Sequence, residues 1–250
     1  DNIKRITGAE TYEDILSAMA ADPTAVADFV SSPVRLETVP VYPVDHYGSA
    51  ASPFYTILAI WVGALFLVAI IHVGVKPIEP GDHYKAHERY FGRYLLFFLL
   101  AQIQAAIIVA GDLWLLKVNI VEPALFFLAA SFTATAFSLL IYSLTLAFGD
   151  VGKAVCVIVM VLQIAGSSGT FPIELLPDTY QKIYIFFPFP YAIRAMREAL
   201  AGMYGTAYME ALAKLSLFMI EGLLIGLVIR IPFVKLNHFV EERMEDTELM

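Results

Sequence analysis

The sequence predicts a mainly α, polytopic helical membrane domain, and three observations predict it. Hydrophobic residues make up 59% of the chain and charged residues only 16%, with a mean hydropathy of +0.70, far more apolar than an average soluble domain. From Phe54 to Val75 no charge interrupts the apolar run, and a helix of about 20 residues spans the hydrocarbon core of a bilayer. Comparable runs recur downstream, each bounded by charged residues or by Gly and Pro. The runs make five crossings, at about 54–75, 94–116, 123–148, 154–168 and 212–234, with a re-entrant segment at 169–210.

Residues 1–52 are polar and mixed. Residues 11–19 pattern as a short amphipathic helix, 23–30 as another behind the helix-starting Pro23, and 34–39 alternate as a half-buried strand does. Pro40 and Pro43 confine the continuation to an edge or a strap, because proline cannot donate to a ladder. This stretch reads as the α/β end of an extracellular domain and its linker. With no initiating Met and no charged segment before a short apolar one, no signal peptide is visible, and Asp1 reads as the cut edge of a longer protein.

The loop at 76–93 carries Lys76, Lys85, Arg89 and Arg93 and is the densest basic loop between two crossings, which makes it cytoplasmic. The N-terminus then lies outside and the acidic tail, 236–250, inside. Lys182, Arg194, Arg197 and Lys214 match that loop in number on the other side, so the character of the N-terminal module decides the orientation. The second crossing ends in an outer turn, 117–122, and the third returns to an inner turn, 149–153.

The fourth crossing meets Gly166-Ser167-Ser168-Gly169-Thr170-Phe171-Pro172 after too few residues to span comfortably. Pro172, Pro177, Pro188 and Pro190 punctuate the next stretch, and Arg194, Arg197 and Glu198 mark one face of a helix. Non-helical backbone at membrane depth survives only where it is buried in protein or lines a wet cavity. Short, partly inserted helices on the outer side are therefore expected.

Composition also excludes functions. A net charge of −8 argues against a nucleic-acid partner, which needs a basic surface. Cys156 is the only cysteine, so neither a disulfide framework nor a cysteine-rich metal site can form. The glycines at 166–169 are not followed by Lys, and 149–153 lacks the spacing of a phosphate-cradling loop. His83 and His87 lie four apart before Glu88 but have no third ligand in sight, and read as solvated loop residues. No paired acids or histidine cluster converge on one depth, so no enzyme activity and no cofactor are expected.

Polar residues inside crossings are costly and are functional candidates by default. Gln102, Gln104, Asp112 and Glu221 are the candidate polar positions of a permeation path. Asp112 also reads as an interfacial acid reaching water, and Glu221 equally as an interhelical, hydrogen-bonded carboxyl. Gln102 and Gln104, two apart, cannot share a helix face, so one of them is expected to tie two helices together. Arg230 reads as snorkelling to the head groups, and Gly222 and Gly226 as a small-residue pair that admits a neighbouring helix.

The segment Val161-Leu162-Gln163-Ile164-Ala165-Gly166-Ser167-Ser168-Gly169-Thr170-Phe171-Pro172-Ile173-Glu174-Leu175-Leu176-Pro177 resembles the signature of the YhgE/Pip (phage infection protein) family. So do Tyr47-Gly48-Ser49, Pro53-Phe54-Tyr55-Thr56 with Trp61-Val62-Gly63-Ala64-Leu65, and Phe148-Gly149-Asp150-Val151-Gly152-Lys153-Ala154. The likeness covers about residues 30–235. It implies a bacterial plasma-membrane protein with one N-terminal crossing, a large extracellular domain and five C-terminal crossings, related to the membrane domains of type-2 ABC exporters. The first crossing and most of the extracellular domain have no counterpart here, and Asp150 stands where Asn is expected.

That kinship implies a homodimer, an outer re-entrant hairpin, links to bacteriophage adsorption, and relatives tied to secretion. On this reading the chain is an exporter-like permease half or a secretion-linked component. Gly166, Gly169, Pro172, Glu174 and Pro177 then form an outer gate. Lys85, Arg89 and Arg93 contact a separate ATPase through an amphipathic helix at 84–94 lying on the membrane. The alternative is a non-transporting anchor that displays an extracellular domain for envelope assembly, and a bundle packed without any polar cavity would favour it.

Overall fold

The computed structural model describes residues 46–75, 85–169 and 172–230, all within one compact unit, Tyr42–Met250. The helices expected at 11–19 and 23–30, the strand at 34–39, His83 and the acidic tail lie outside the described residues. Every regular element within them is helical.

Helix α1, Tyr47–Ile70, starts seven residues before the expected first crossing and carries Pro53 inside it. Proline has no amide to give the carbonyl four residues back. The Ser52 hydroxyl supplies that donor, bonding Ser49 O at 3.0 Å, so the helix runs through the proline. Helix α2, Ala86–Ala110, begins where the backbone amide of Lys85 donates to Glu88 Oε2 at 2.8 Å. Residues 86–93 are thus the first two turns of this long helix. Among the described residues, 86–94 belong to this helix and form no separate surface helix, which corrects the expected amphipathic element.

Helix α2 ends in a π-turn, Gly111–Leu115, closed by Leu116 N to Gly111 O at 2.9 Å. Helix α3, Pro123–Gly166, opens on a proline, which suits a first turn whose amides lack partners, and runs 44 residues. A straight helix of that length would reach about 66 Å, twice a hydrocarbon core. It is not straight: Gly149 adopts φ 60° and ψ −133°. A side chain at Gly152 would lie 2.2 Å from Leu144 O, atoms that a straight helix would hold roughly 12 Å apart. The chain folds back at Gly149, giving limbs 123–148 and 150–166.

Short pieces follow: 3₁₀ turns at Ile173–Leu175 and Tyr184–Phe186 flank α4, Asp178–Ile183. Helix α5, Phe189–Ala201, is buried along most of its length. Helix α6, Ala207–Leu224, runs into a second π-turn, Ile225–Ile229. It begins five residues before the expected last crossing, where the Thr206 hydroxyl donates to Glu210 Oε1 at 2.6 Å.

The first limb of α3 is the hub. Phe126, Ala129, Ala130, Ala134, Ala136 and Phe137 are all buried, and the small alanines among them let neighbouring helices approach closely. At its centre Trp61, Phe137 and Phe189 meet with ring centroids 4.9 to 5.5 Å apart. Aromatic pairs in such geometry contribute about 0.5–1.5 kcal/mol beyond their buried area. Gly222 lies against the backbone of Leu139 and Leu140, where a side chain would stand 3.3 Å away.

The outside is apolar. Phe66, Ile103, Ile107 and Leu217 are each at least 56% exposed, an apolar girdle that water would not tolerate at this extent. Tyr47 and Trp114, exposed at one end, suit the interface between lipid and water. Among the described residues four helices are long and apolar enough to cross a membrane: Tyr47–Ile70, Ala86–Leu115, Pro123–Gly166 and Ala207–Ile229.

Candidate functional site

The signature loop after α3 is shaped by three glycine-dependent or strained positions. Gly166 faces the Tyr180 ring, where a Cβ would stand 2.8 Å away. Ser168 takes φ 58°, in the left-handed region that only a few non-glycine residues adopt. Gly169 lies against the Phe54 ring, and a Cβ there would come within 2.1 Å of it. Two pieces of the resemblance, the 53–56 motif and the 161–177 motif, therefore meet face to face.

The loop feeds α5 into the bundle. Phe189, its first residue, packs on Trp61 midway along α1, and its amide donates to the Gln163 carboxamide at 3.1 Å. First-turn amides have no partner inside their own helix, so Gln163, fully buried, supplies one. Gln163 and Phe137 both touch Phe189 although 26 positions separate them along α3. At the other end, Val121 and Glu122 donate their amides to Leu200 O and Ala199 O at 2.9 and 3.0 Å. Helix α5 thus runs from the middle of the bundle to the turn between α2 and α3.

Between α5, the signature loop and the start of α1 lies a cavity of about 530 Å³. Among the described residues its polar lining is Ser167, Ser168, Tyr184, Arg194, Arg197 and Glu198, and Ile173, Pro190 and Ile193 are among its apolar walls. Arg197 donates to Gly169 O at 2.7 Å and so pins the loop to α5. The Arg197 guanidinium keeps its proton at neutral pH. Glu198, 2% exposed, accepts from Tyr204 N at 2.8 Å. The Ser167 hydroxyl is buried and without a hydrogen-bond partner.

Of the expected gate residues, Gly166 and Gly169 are structural pivots of this loop. Pro172, Glu174 and Pro177 are all exposed, and Pro177 O accepts from Tyr180 N at the start of α4. The expected path residues do not converge. Gln102 bonds Ser131 O and Thr135 Oγ1 on α3 at 3.2 and 3.0 Å, and accepts from Ser131 Oγ, the interhelical tie expected of one glutamine. Gln104 faces Gly63 of α1 instead, at 2.8 Å from where a Cβ would stand.

Asp112 is 5% exposed and accepts from the Thr56 hydroxyl at 2.6 Å, so it is a buried interhelical partner and does not reach water at an interface. Glu221 is exposed on the outer face of α6, beside Leu217, Ile220 and Leu224.

The opposite end gathers basic and aromatic residues. Tyr90 bonds Ser143 at 2.7 Å and Tyr142 donates to Tyr90 O at 3.2 Å. Arg89, Tyr90, Tyr142 and Arg230 line a niche of about 20 Å³, room for a single water. The Arg93 guanidinium donates to His72 O just past the end of α1, Nε at 2.8 Å and Nη2 closer still. Lys85 and Arg89 are exposed. Of the three residues expected to face an ATPase, Arg93 is committed to holding α1.

The residues that line the cavity were partly visible in sequence. Arg194, Arg197 and Glu198 carry helical spacing on one face of α5, and Ser167 and Ser168 sit in the signature loop. Thr56, Gln163 and the tyrosines gave no signal, because their partners lie 26 to 56 positions away.

Residues 3–230 match the family described as ABC-2 family transporter protein. The chain belongs to this ABC-2 family. Its likeness to the uncharacterized protein YhgE of Bacillus subtilis (strain 168) is 27% identity over 219 residues, which cover 87% of this chain and 27% of YhgE. The chain thus spans about a quarter of the length of the curated relative it matches. No solved structure matches it. ABC-2 membership and the four apolar helices make the chain a multi-pass component of the plasma membrane and of the YhgE/Pip-like group.

Proposed function

We propose that this ABC-2 membrane component is a non-catalytic, exporter-like or secretion-linked permease half, working with a separate ATPase and a second copy of itself. The cavity of about 530 Å³ beneath α5, with Arg194, Arg197 and Ser167 in its wall, carries the reading. A scaffold has no need of a polar cavity, and a transport path has. The re-entrant α5, hinged on the Gly166–Gly169 loop, is the element that would move, and Lys85 and Arg89 at the far end would meet the ATPase.

In this reading the fold-back at Gly149 divides α3 into two crossings, giving five. The α5 end lies outside and the Gly149 end inside, with the N-terminus extracellular. In a Cys156→Ala background, Asp178→Cys is then labelled by an impermeant maleimide from outside intact cells and Lys153→Cys only after permeabilisation. The reverse pattern inverts the topology. Service as a bacteriophage receptor rests on family kinship alone.

The test is affinity purification of the full-length protein from its native membrane, with identification of what accompanies it. A nucleotide-binding subunit that is lost with Lys85→Glu and Arg89→Glu supports the permease half. Recovery of envelope components alone would sink it in favour of the scaffold.

A further inference from the structure

The cavity beside α5 has a chemistry narrower than "polar", and it names what the proposed path accepts. Among the described residues its fixed charges are two guanidinium groups and one carboxylate, and the carboxylate of Glu198 already holds the Tyr204 amide. Arg197 spends one donor on Gly169 O and a guanidinium has five. Arg194 is exposed, with no hydrogen bond or ion pair to another described residue. The Ser167 hydroxyl, in a residue only 2% exposed, lines the same cavity with no partner of its own.

Those donors and the apolar Ile173, Pro190, Ile193 and Leu200 line the same cavity. A donor-rich lining with an excess of positive charge, combined with apolar wall, fits a ligand with an anionic head and an apolar body. The volume of about 530 Å³ lies in the range that encloses drug-sized ligands, which admits one hydrocarbon chain and is small for a two-chain lipid.

We propose that this cavity binds a single-chain amphiphile with an anionic head, a phosphate monoester or carboxylate, held by Arg194, Arg197 and Ser167. The inference rests on the permease reading only in making that amphiphile the cargo; binding itself is independent of any ATPase. Charge-assisted bonds from a planar guanidinium suit such oxyanions better than an ammonium does.

The experiment uses the full-length protein in nanodiscs of phosphatidylcholine and four probes: 1-oleoyl lysophosphatidate, mono-oleoylglycerol, glycerol 3-phosphate and dioleoyl phosphatidate. Saturable one-to-one binding of the lysophosphatidate is expected, at least about tenfold tighter than either the neutral chain or the bare head, a difference one charge-assisted contact can supply. Arg194→Gln, at an exposed position that leaves the loop anchored by Arg197, weakens it by about tenfold, and Ser167→Ala by a few-fold.

Equal binding of mono-oleoylglycerol, or an unchanged affinity in Arg194→Gln, overturns the proposal. Equal or tighter binding of dioleoyl phosphatidate overturns the single-chain assignment and identifies a site for bulk lipid. Recovery of the partner ATPase is read separately in the same preparations, so loss of ligand binding with the ATPase retained refutes the site and leaves the permease reading standing.

Discussion

The Thr56 hydroxyl donates to Asp112 Oδ2 at 2.6 Å and joins the first half of α1 to the π-turn that ends α2. Both residues are buried, at 2% and 5% exposure. Asp112 lies within that π-turn, a departure from regular helix that is frequent at functional sites. Removing one partner of a buried hydrogen bond costs about 1–3 kcal/mol, while replacing both by apolar groups is far milder. Thr56→Val is therefore expected to lower the unfolding midpoint in detergent clearly. Thr56→Val with Asp112→Leu should lower it by less than the sum of the single changes, a double-mutant cycle with a large coupling. Strict additivity would show that the bond carries no weight.

Gly226, in the π-turn that follows α6, packs against α2: a Cβ there would lie 2.3 Å from the Tyr90 ring, which is 1% exposed and held by Ser143. Tyr90 cannot swing aside without breaking that bond. Gly226→Ala should cost about 1–3 kcal/mol, the range for an overpacked core. Gly111→Ala, with nothing within 4 Å of its Cβ, should be neutral or slightly stabilising, since alanine favours helix by up to about 1 kcal/mol. Thermal unfolding of the two variants side by side checks the contrast.

The fold-back in α3 depends on backbone at two positions and hardly on charge. Gly149 needs φ 60°, a conformation that costs other residues about 1–3 kcal/mol. Gly152 faces a backbone carbonyl that cannot move away. The Asp150–Lys153 pair at 2.8 Å is partly solvent-exposed, and surface pairs are worth about 0–1 kcal/mol. Gly152→Ala should give the lowest midpoint, Gly149→Ala an intermediate one, and Lys153→Gln little change.

What the sequence made legible is what depends on order along the chain. Long apolar runs located the helices, the Gly and Pro clusters located the irregular stretch before α5, and the i, i+3, i+4 spacing of Arg194, Arg197 and Glu198 put them on one face. Charge misled at the boundaries. Arg89 and Arg93 marked a loop by composition, yet they lie within the first turns of α2, because a long basic side chain at a helix end can reach a neighbouring carbonyl or water. Pairings across the bundle, such as Thr56 with Asp112 or Gln163 with Phe189, were invisible. Each partner alone is an ordinary residue in an apolar run, and only packing determines which ones meet.

Arg93 separates structure from partner binding among the three basic residues of the Gly149 end. Its guanidinium donates twice to His72 O, a carbonyl just beyond α1, where helix ends leave acceptors unpaired. Arg93→Gln should therefore lower stability by about 1 kcal/mol and loosen the join of α1 to α2. Lys85→Glu and Arg89→Glu, both exposed, should leave the unfolding midpoint within roughly 0.5 kcal/mol of the parent while abolishing recovery of the ATPase. A variant Arg93→Gln that keeps its full midpoint but loses the ATPase would return Arg93 to the partner surface and remove its role in anchoring α1.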